Sequence, residues 1–158
     1  MPRRRRAKKH VIQPDAVFGD KKVTKFINMG MKDGKKSTFE RVVYAAFDEI
    51  KKETGEDPLK VFHKAIDEIS PVFEVRARRV GGATYQVPIE VDKSRSFALA
   101  VRWLMSATTQ RSEKRLFQRL AKEIVDAYRK APCRSLKKLE EVRKMVEAAK
   151  VFAHLVRS

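Results

Sequence analysis

The chain has 158 residues, with 37 Lys and Arg against 20 Asp and Glu, a formal charge of +17 and 42% apolar residues. Such a length and apolar content suit one domain with a real core and exclude a wholly disordered basic tail. A positive excess of this size points to a polyanion partner, because neutralised phosphates release counterions. A lone cysteine, Cys133, excludes an intrachain disulfide, a Cys-rich zinc site and a Cys-x-x-Cys redox pair.

No stretch approaches the roughly 18 apolar residues needed to span a bilayer, and the first ten residues lead into no apolar signal core. The expected setting is the cytoplasm, without a membrane partner.

Charge is unevenly distributed. Residues 1–41 carry thirteen basic side chains against four acidic ones, a net of +9. Residues 48–68 reverse the sign, with seven acids against four lysines, a net of −3. From 71 to 119 ten basic residues, eight of them Arg, face four acids. Arginine's planar fork contacts phosphate with two parallel hydrogen bonds and stacks on bases, which favours a specific polyanion surface over a mixed solvated one.

Residues 1–19 lack periodicity and hold two prolines and the run Arg3, Arg4, Arg5, Arg6, Lys8 and Lys9, so they are expected to form an extended or disordered arm that orders on its partner. Val23, Phe26, Ile27 and Met31 have helical spacing and end at Gly34, predicting a first helix. Ser37-Thr38-Phe39-Glu40 reads as a capping box, followed by Val42, Val43, Ala46, Phe47 and Ile50 on one face of a second helix. Asp57-Pro58 supplies an N-cap and a first-turn proline for a third helix with Leu59, Phe62, Ala65, Ile66 and Ile69, which Ser70-Pro71 stops.

The period then changes to two. Val72 to Val80 and Ala83 to Val91 predict two strands joined by Gly81-Gly82, with Val80 opposite Ala83, Arg78 opposite Tyr85 and Val75 opposite Pro88. No other segment reads as a strand, so the ribbon has no sheet to join and is expected to project and be held by a partner. Helical spacing resumes with Phe97, Val101, Leu104 and Met105, and again from Ser112 with Leu116, Leu120 and Ile124. A last helix after Ser135 is expected to bury Leu136, Leu139, Val142, Met145, Val146, Ala149, Phe152 and Ala153. The reading is mainly α: a bundle of about six helices in one domain, 20–156, with a protruding hairpin arm, 72–91, and the basic arm 1–19.

Catalytic signatures are missing. His10, His63 and His154 have no metal-ligand spacing and fit surface or capping roles, and Gly81-Gly82 is not followed by the helix a phosphate loop requires. Glu74 and Glu90 could meet across the hairpin base, but a projecting arm would not supply the burial that raises a carboxylate pKa. The expectation is no enzyme, no metal and no cofactor.

The residues instead suit nucleic acid. Arg76 and Arg78 share a face with Tyr85, and Arg79 lies on the other, which suits stacking and phosphate contact as well as ordinary cross-strand packing. Arg95 and Arg102, seven apart, share a helix face near Ala98 and Ser106, while Trp103 fits helix packing. Arg111, Lys114 and Arg115 cluster at a helix junction where free amides add to an anion site.

Gly34-Lys35-Lys36-Ser37-Thr38 with Glu40, Val43 and Tyr44 resembles the first signature of the bacterial-type small-subunit ribosomal protein S-seven family. The run from Arg78 to Pro88 resembles its second, and Arg102-Trp103-Leu104, Arg111 to Lys114, Arg119-Leu120-Ala121 and Phe152-Ala153-His154 match in the same order. The resemblance implies a helical bundle whose β-arm lies near the exit-site tRNA and the mRNA path beside a neighbouring ribosomal protein. It also implies a monomer within the ribosome that binds small-subunit rRNA early and nucleates the subunit head. Carried over by motif, Arg76, Arg78, Arg79, Gly81 and Gly82 belong to that arm. The basic tail, Lys35, Lys36, Arg95, Arg102, Arg111, Lys114 and Arg115 would face rRNA. The C-terminus departs from the family, with Ala149 in place of the usual Asn and Leu155-Val156-Arg157 in place of Tyr-Arg-Trp.

A nucleoid-type DNA-bending protein is the alternative, since it too combines helices, positive charge and a β-arm. Its arms wedge with an apolar residue or proline at the tip, where this chain has Gly81-Gly82.

Overall fold

The computed structural model describes residues 11–80 and 82–152. In order they form α1 (Lys21–Gly30), α2 (Lys36–Thr54), α3 (Pro58–Ile69), β1 (Phe73–Val80), β2 (Ala83–Glu90), α4 (Lys93–Thr109), α5 (Leu116–Tyr128) and α6 (Arg134–Ala149). Helix α5 packs against α2, α3 and α4, and α1 closes one side against α2 and α4. The apolar stripes of these five helices meet in one core around Phe26, Phe47, Phe62, Ile66, Leu104 and Ile124, all at most 1% exposed. The Phe rings interlock, with centroids 5.3 Å apart for Phe26 and Phe62 and 5.5 Å for Phe47 and Phe62. Gly30 is required by close approach: a Cβ there would run into the Phe39 ring.

Three helices begin as short polar side chains dictate. Asp20, Asp57 and Asp92 each accept hydrogen bonds from first-turn amides of α1, α3 and α4, and Pro58 occupies the first turn of α3. The predicted capping box at Ser37 is not formed, because α2 already starts at Lys36. Lys35 is its N-cap without a side-chain bond, and Ser37 lies inside the helix. The backbone reaches that start through Asp33 and Gly34, with φ of 53° and 70°. Likewise α5 starts at Leu116 rather than Ser112, its N-cap Arg115 making no side-chain bond.

Residues 15–19, expected within a structureless arm, fold onto the domain. Asp15 accepts from the amides of Val17 and Phe18 at 3.1 Å and from the Tyr44 hydroxyl at 2.9 Å. Phe18 packs edge-on against Phe47 at 5.0 Å. The apolar anchor at Phe18 holds the turn where polar periodicity alone could not reveal it. Residues 1–10, with the predicted run of arginines and lysines and His10, lie outside the described residues, as do Gly81, Ala153 and His154.

The hairpin register is the predicted one, with Val75 opposite Pro88, Arg78 opposite Tyr85 and Val80 opposite Ala83. Gly82, at φ 87°, takes the left-handed turn position that suits glycine. The ribbon does not stand apart from the protein, however. Both strands pack against α6, Val87 is fully buried, and the Tyr85 ring packs at a 45° tilt against Phe152 with centroids 5.2 Å apart. Because α6 covers a thin two-stranded ribbon and one side of the bundle, its apolar stripe is only partly enclosed. Leu139 and Ala149 are buried, Leu136, Val142, Val146 and Phe152 are half-buried, and Met145 is 45% exposed, against the expectation of a fully buried stripe.

Candidate nucleic-acid interface

Basic side chains line both ends of α4. At its start, Lys93 shares a shallow depression with Lys21, Lys22 and Lys25 of α1, floored by Phe97, Val11 and Ile12. Lys25 Nζ sits 3.3 Å from Ser94 Oγ and 5.1 Å over the Phe97 ring, which ties the α1 lysines to α4. None of these four lysines was singled out by sequence motif. They became a cluster only when two helix starts converged, although their helical spacing at 21, 22 and 25 was a legible signal of one face.

Next to them lies the root of the hairpin. The Glu74 carboxylate accepts from Arg76 Nε at 2.5 Å and from Arg95 Nε at 2.7 Å. Glu74 stands opposite Ile89 and Glu90 opposite Phe73, so the two acids do not pair across the base. Glu74 is buried, contrary to the expectation for a projecting arm. Burial pushes its pKa up, but the hydrogen bonds and charge of Arg95 and Arg76 outweigh that and hold it below the usual carboxylate value. Arg78 is half-buried beside Tyr85, while Arg79 and Gly82 are exposed. Tyr85 already has an aromatic partner in Phe152.

Arg102 is exposed halfway along α4, and Trp103 beside it is half-buried against the core. At the far end, about 25 Å away at 1.5 Å per residue, Arg111 has a different role from the one expected. Its Nη1 donates to Glu123 at 2.7 Å and Asp126 at 2.8 Å, and its Nε donates to Glu113 at 3.2 Å. Its side chain is only 19% exposed. Burial lowers the Arg111 pKa, but the three carboxylates overcome this and raise it. Arg111 is thus an internal cross-link, whereas Lys114 and Arg115 remain exposed.

Glu123, fully buried, was missed by sequence reading. It also accepts from the Ser135 amide at 3.0 Å and hydroxyl at 2.8 Å, so it fills the N-terminus of α6 from within. The available signal was its position three residues after Leu120 and four before Ala127, an acid on the apolar stripe of α5.

The helices that lack a side-chain cap are informative. Helix α2 starts at Lys35 and Lys36, and α5 starts at Arg115 after Lys114, so free first-turn amides stand beside exposed cations at both places. Lys36 has one partner, the half-buried Glu40, at 3.6 Å. The four regions form an extended surface rather than one pocket.

The acidic stretch behaves differently. Glu53 pairs with Arg129 at 3.3 Å, Glu68 with Lys130 at 3.1 Å, and Glu56 accepts from Tyr128 at 2.7 Å. His63 Nε2 lies 2.7 Å from Asp20, joining α3 to the cap of α1, as a surface or capping role requires. No group of His, Cys, Asp and Glu suited to a metal occurs among the described residues.

Comparison with known proteins places these features in a family. The family model for ribosomal protein S7p/S5e matches residues 2–150. The chain is 51% identical to small ribosomal subunit protein uS7 of Anaeromyxobacter sp. (strain Fw109-5) over 154 residues, 98% of each chain. It is 54% identical to that of Thermodesulfovibrio yellowstonii and 53% identical to that of Finegoldia magna, each over 98% of both chains. With basic helix starts, a two-stranded arm on α6 and a family match along almost its entire length, the chain belongs to the ribosomal protein S7p/S5e family of structural, non-enzymatic ribosomal proteins.

Proposed function

We propose that the chain binds small-subunit rRNA directly through α1, α4, the hairpin and the two uncapped helix starts, and that this binding nucleates assembly of the subunit head. The carrying observation is the division of charge. Glu53, Glu56 and Glu68 of the acidic stretch are engaged within the fold, whereas Lys21, Lys22, Lys35, Lys93, Arg102 and Lys114 have no ion pair among the described residues. Many separate phosphate contacts over a rigid surface supply affinity, and the shape of a folded RNA junction supplies selectivity.

In this reading Arg79 and the Gly81-Gly82 tip carry the arm toward exit-site tRNA and the mRNA path. Arg3, Arg4, Arg5, Arg6, Lys8 and Lys9 extend the phosphate contacts from the N-terminus. The acidic side, residues 48–68, faces away from RNA or toward a neighbouring ribosomal protein.

The test is binding of the purified protein, over a salt series, to a small-subunit rRNA head fragment, a DNA duplex and an unrelated structured RNA. Tight binding selective for the rRNA fragment is expected, with a salt slope corresponding to five or more phosphates, on the order of a small rRNA-binding domain. Equal affinity for all three would defeat the assignment.

A further inference from the structure

We propose that Glu74 determines RNA specificity by holding Arg76 and Arg95 as one two-armed phosphate clamp at the root of the hairpin. The inference rests on the rRNA reading above and adds a residue of the wrong charge for RNA contact. Glu74 Oε1 accepts from Arg76 Nε at 2.5 Å, and Oε2 accepts from Arg95 Nε at 2.7 Å, with Arg95 Nη2 also 2.7 Å from it in the ion pair. The carboxylate is 12% exposed, while the Arg76 and Arg95 side chains are 53% and 47% exposed. Each guanidinium therefore turns one edge inward onto Glu74 and keeps further N–H donors in solvent.

Anchoring the arm does not require this carboxylate. Ser96 donates from Oγ to the Pro71 carbonyl at 2.7 Å, and Val87 is fully buried, so the base of the ribbon is already joined to α4 and the domain. What Glu74 adds is geometry. An arginine whose Nε is already held by a carboxylate has less side-chain freedom left to lose when its outer N–H groups meet phosphate. Two loose arginines would attract any polyanion. Two arginines fixed around a negative charge favour phosphates that fall on both outer edges and disfavour one that approaches between them.

The test compares wild type with Glu74→Gln and Arg95→Lys for binding to the rRNA head fragment and to an unrelated structured RNA over the same salt series. Thermal melting and the arginine Nε–Hε NMR signals serve as controls. Glu74→Gln is expected to weaken binding to the rRNA fragment by about tenfold, the value of one hydrogen bond to a charged group, while affinity for unrelated RNA holds or rises. Arg95→Lys keeps the net charge and loses the fork, and it should show the same loss of selectivity, which also covers the case in which Glu74→Gln melts early. The two Hε signals, protected in wild type, should exchange freely in Glu74→Gln.

Equal gains for both RNAs in Glu74→Gln would show a simple repulsive charge and overturn the proposal. So would an Arg95→Lys variant that discriminates like wild type. A wild type indifferent to the two RNAs would defeat the rRNA reading and the specificity role together, while protected Hε signals would show that the clamp itself stands.

Discussion

Arg95 and Arg111 stand near opposite ends of α4, both bonded to carboxylates, and do opposite things. Arg95 meets one carboxylate and keeps half of its side chain in solvent; Arg111 meets three and is largely enclosed. Around Glu74 two cations face one acid, leaving a positive site. Around Arg111 two cations, Arg111 itself and Lys122 at 3.6 Å from Glu113, face Glu113, Glu123 and Asp126, leaving a negative one. A cation's sequence position thus says little about its availability to phosphate; the count of acids its neighbours bring to it says much more.

The comparison breaks most visibly at Glu123. Glu123→Ala leaves the Ser135 amide without an acceptor, leaves its hydroxyl only the weak Cys133 sulfur at 3.2 Å, and removes one of the carboxylates of Arg111, so a loss of about 3 kcal/mol is expected from the urea midpoint. Arg111→Ala should lose about 2 kcal/mol, against less than ~0.5 kcal/mol for the exposed Arg102→Ala. Arg102→Ala should instead lower the salt slope of rRNA binding by about one phosphate. If the two arginines lost equal stability, the division between internal and external charge would be wrong.

Titration sharpens the same contrast. The folded pKa values of Glu74 and Glu113 lie below their ordinary 4.5, Glu113 chiefly through its hydrogen bond from Arg111. Their stabilisation is therefore complete above pH 4.5 and is lost as pH falls through the lower folded values. Tyr44 responds in the alkaline range. Burial and the Asp15 bond push its pKa up to about 12 from 10.0, so its stabilisation is present below pH 10.0 and is lost as pH rises toward 12. Chemical denaturation across pH should show both limbs, and Tyr44→Phe should shrink the alkaline one, leaving the part that the raised Tyr128 and Cys133 groups supply. Caps give a contrast of their own: Asp57→Ala should cost about 1 kcal/mol, and Ser37→Ala, at a position that caps nothing, about 0.3 kcal/mol or less, the smallest effect of all.

Features set by neighbouring residues were legible in the sequence. Gly81-Gly82 between alternating segments predicts the hairpin register, and Asp57-Pro58 predicts the start of α3, because both depend on local backbone chemistry. Features set by convergence were not. Ser37 and Glu40 satisfy the capping pattern, yet the αL turn at Asp33-Gly34 starts α2 earlier. Arg111 belongs by spacing with Lys114 and Arg115, and only the fold brings Glu123 and Asp126 to it. Met145 fits an apolar stripe by period, but the narrow ribbon it faces cannot cover it. The α1 lysines joined the candidate surface for the same reason: Lys93 reaches them only through packing of α1 on α4.

The most direct test of the charge division is amide hydrogen exchange of the intact chain with and without the rRNA head fragment. The account predicts slowed exchange on binding at the first turns of α1, α2, α4 and α5 and along the hairpin, with α3 and the acidic connection before it unchanged. Protection centred on residues 48–68, with those basic helix starts unaffected, would contradict it.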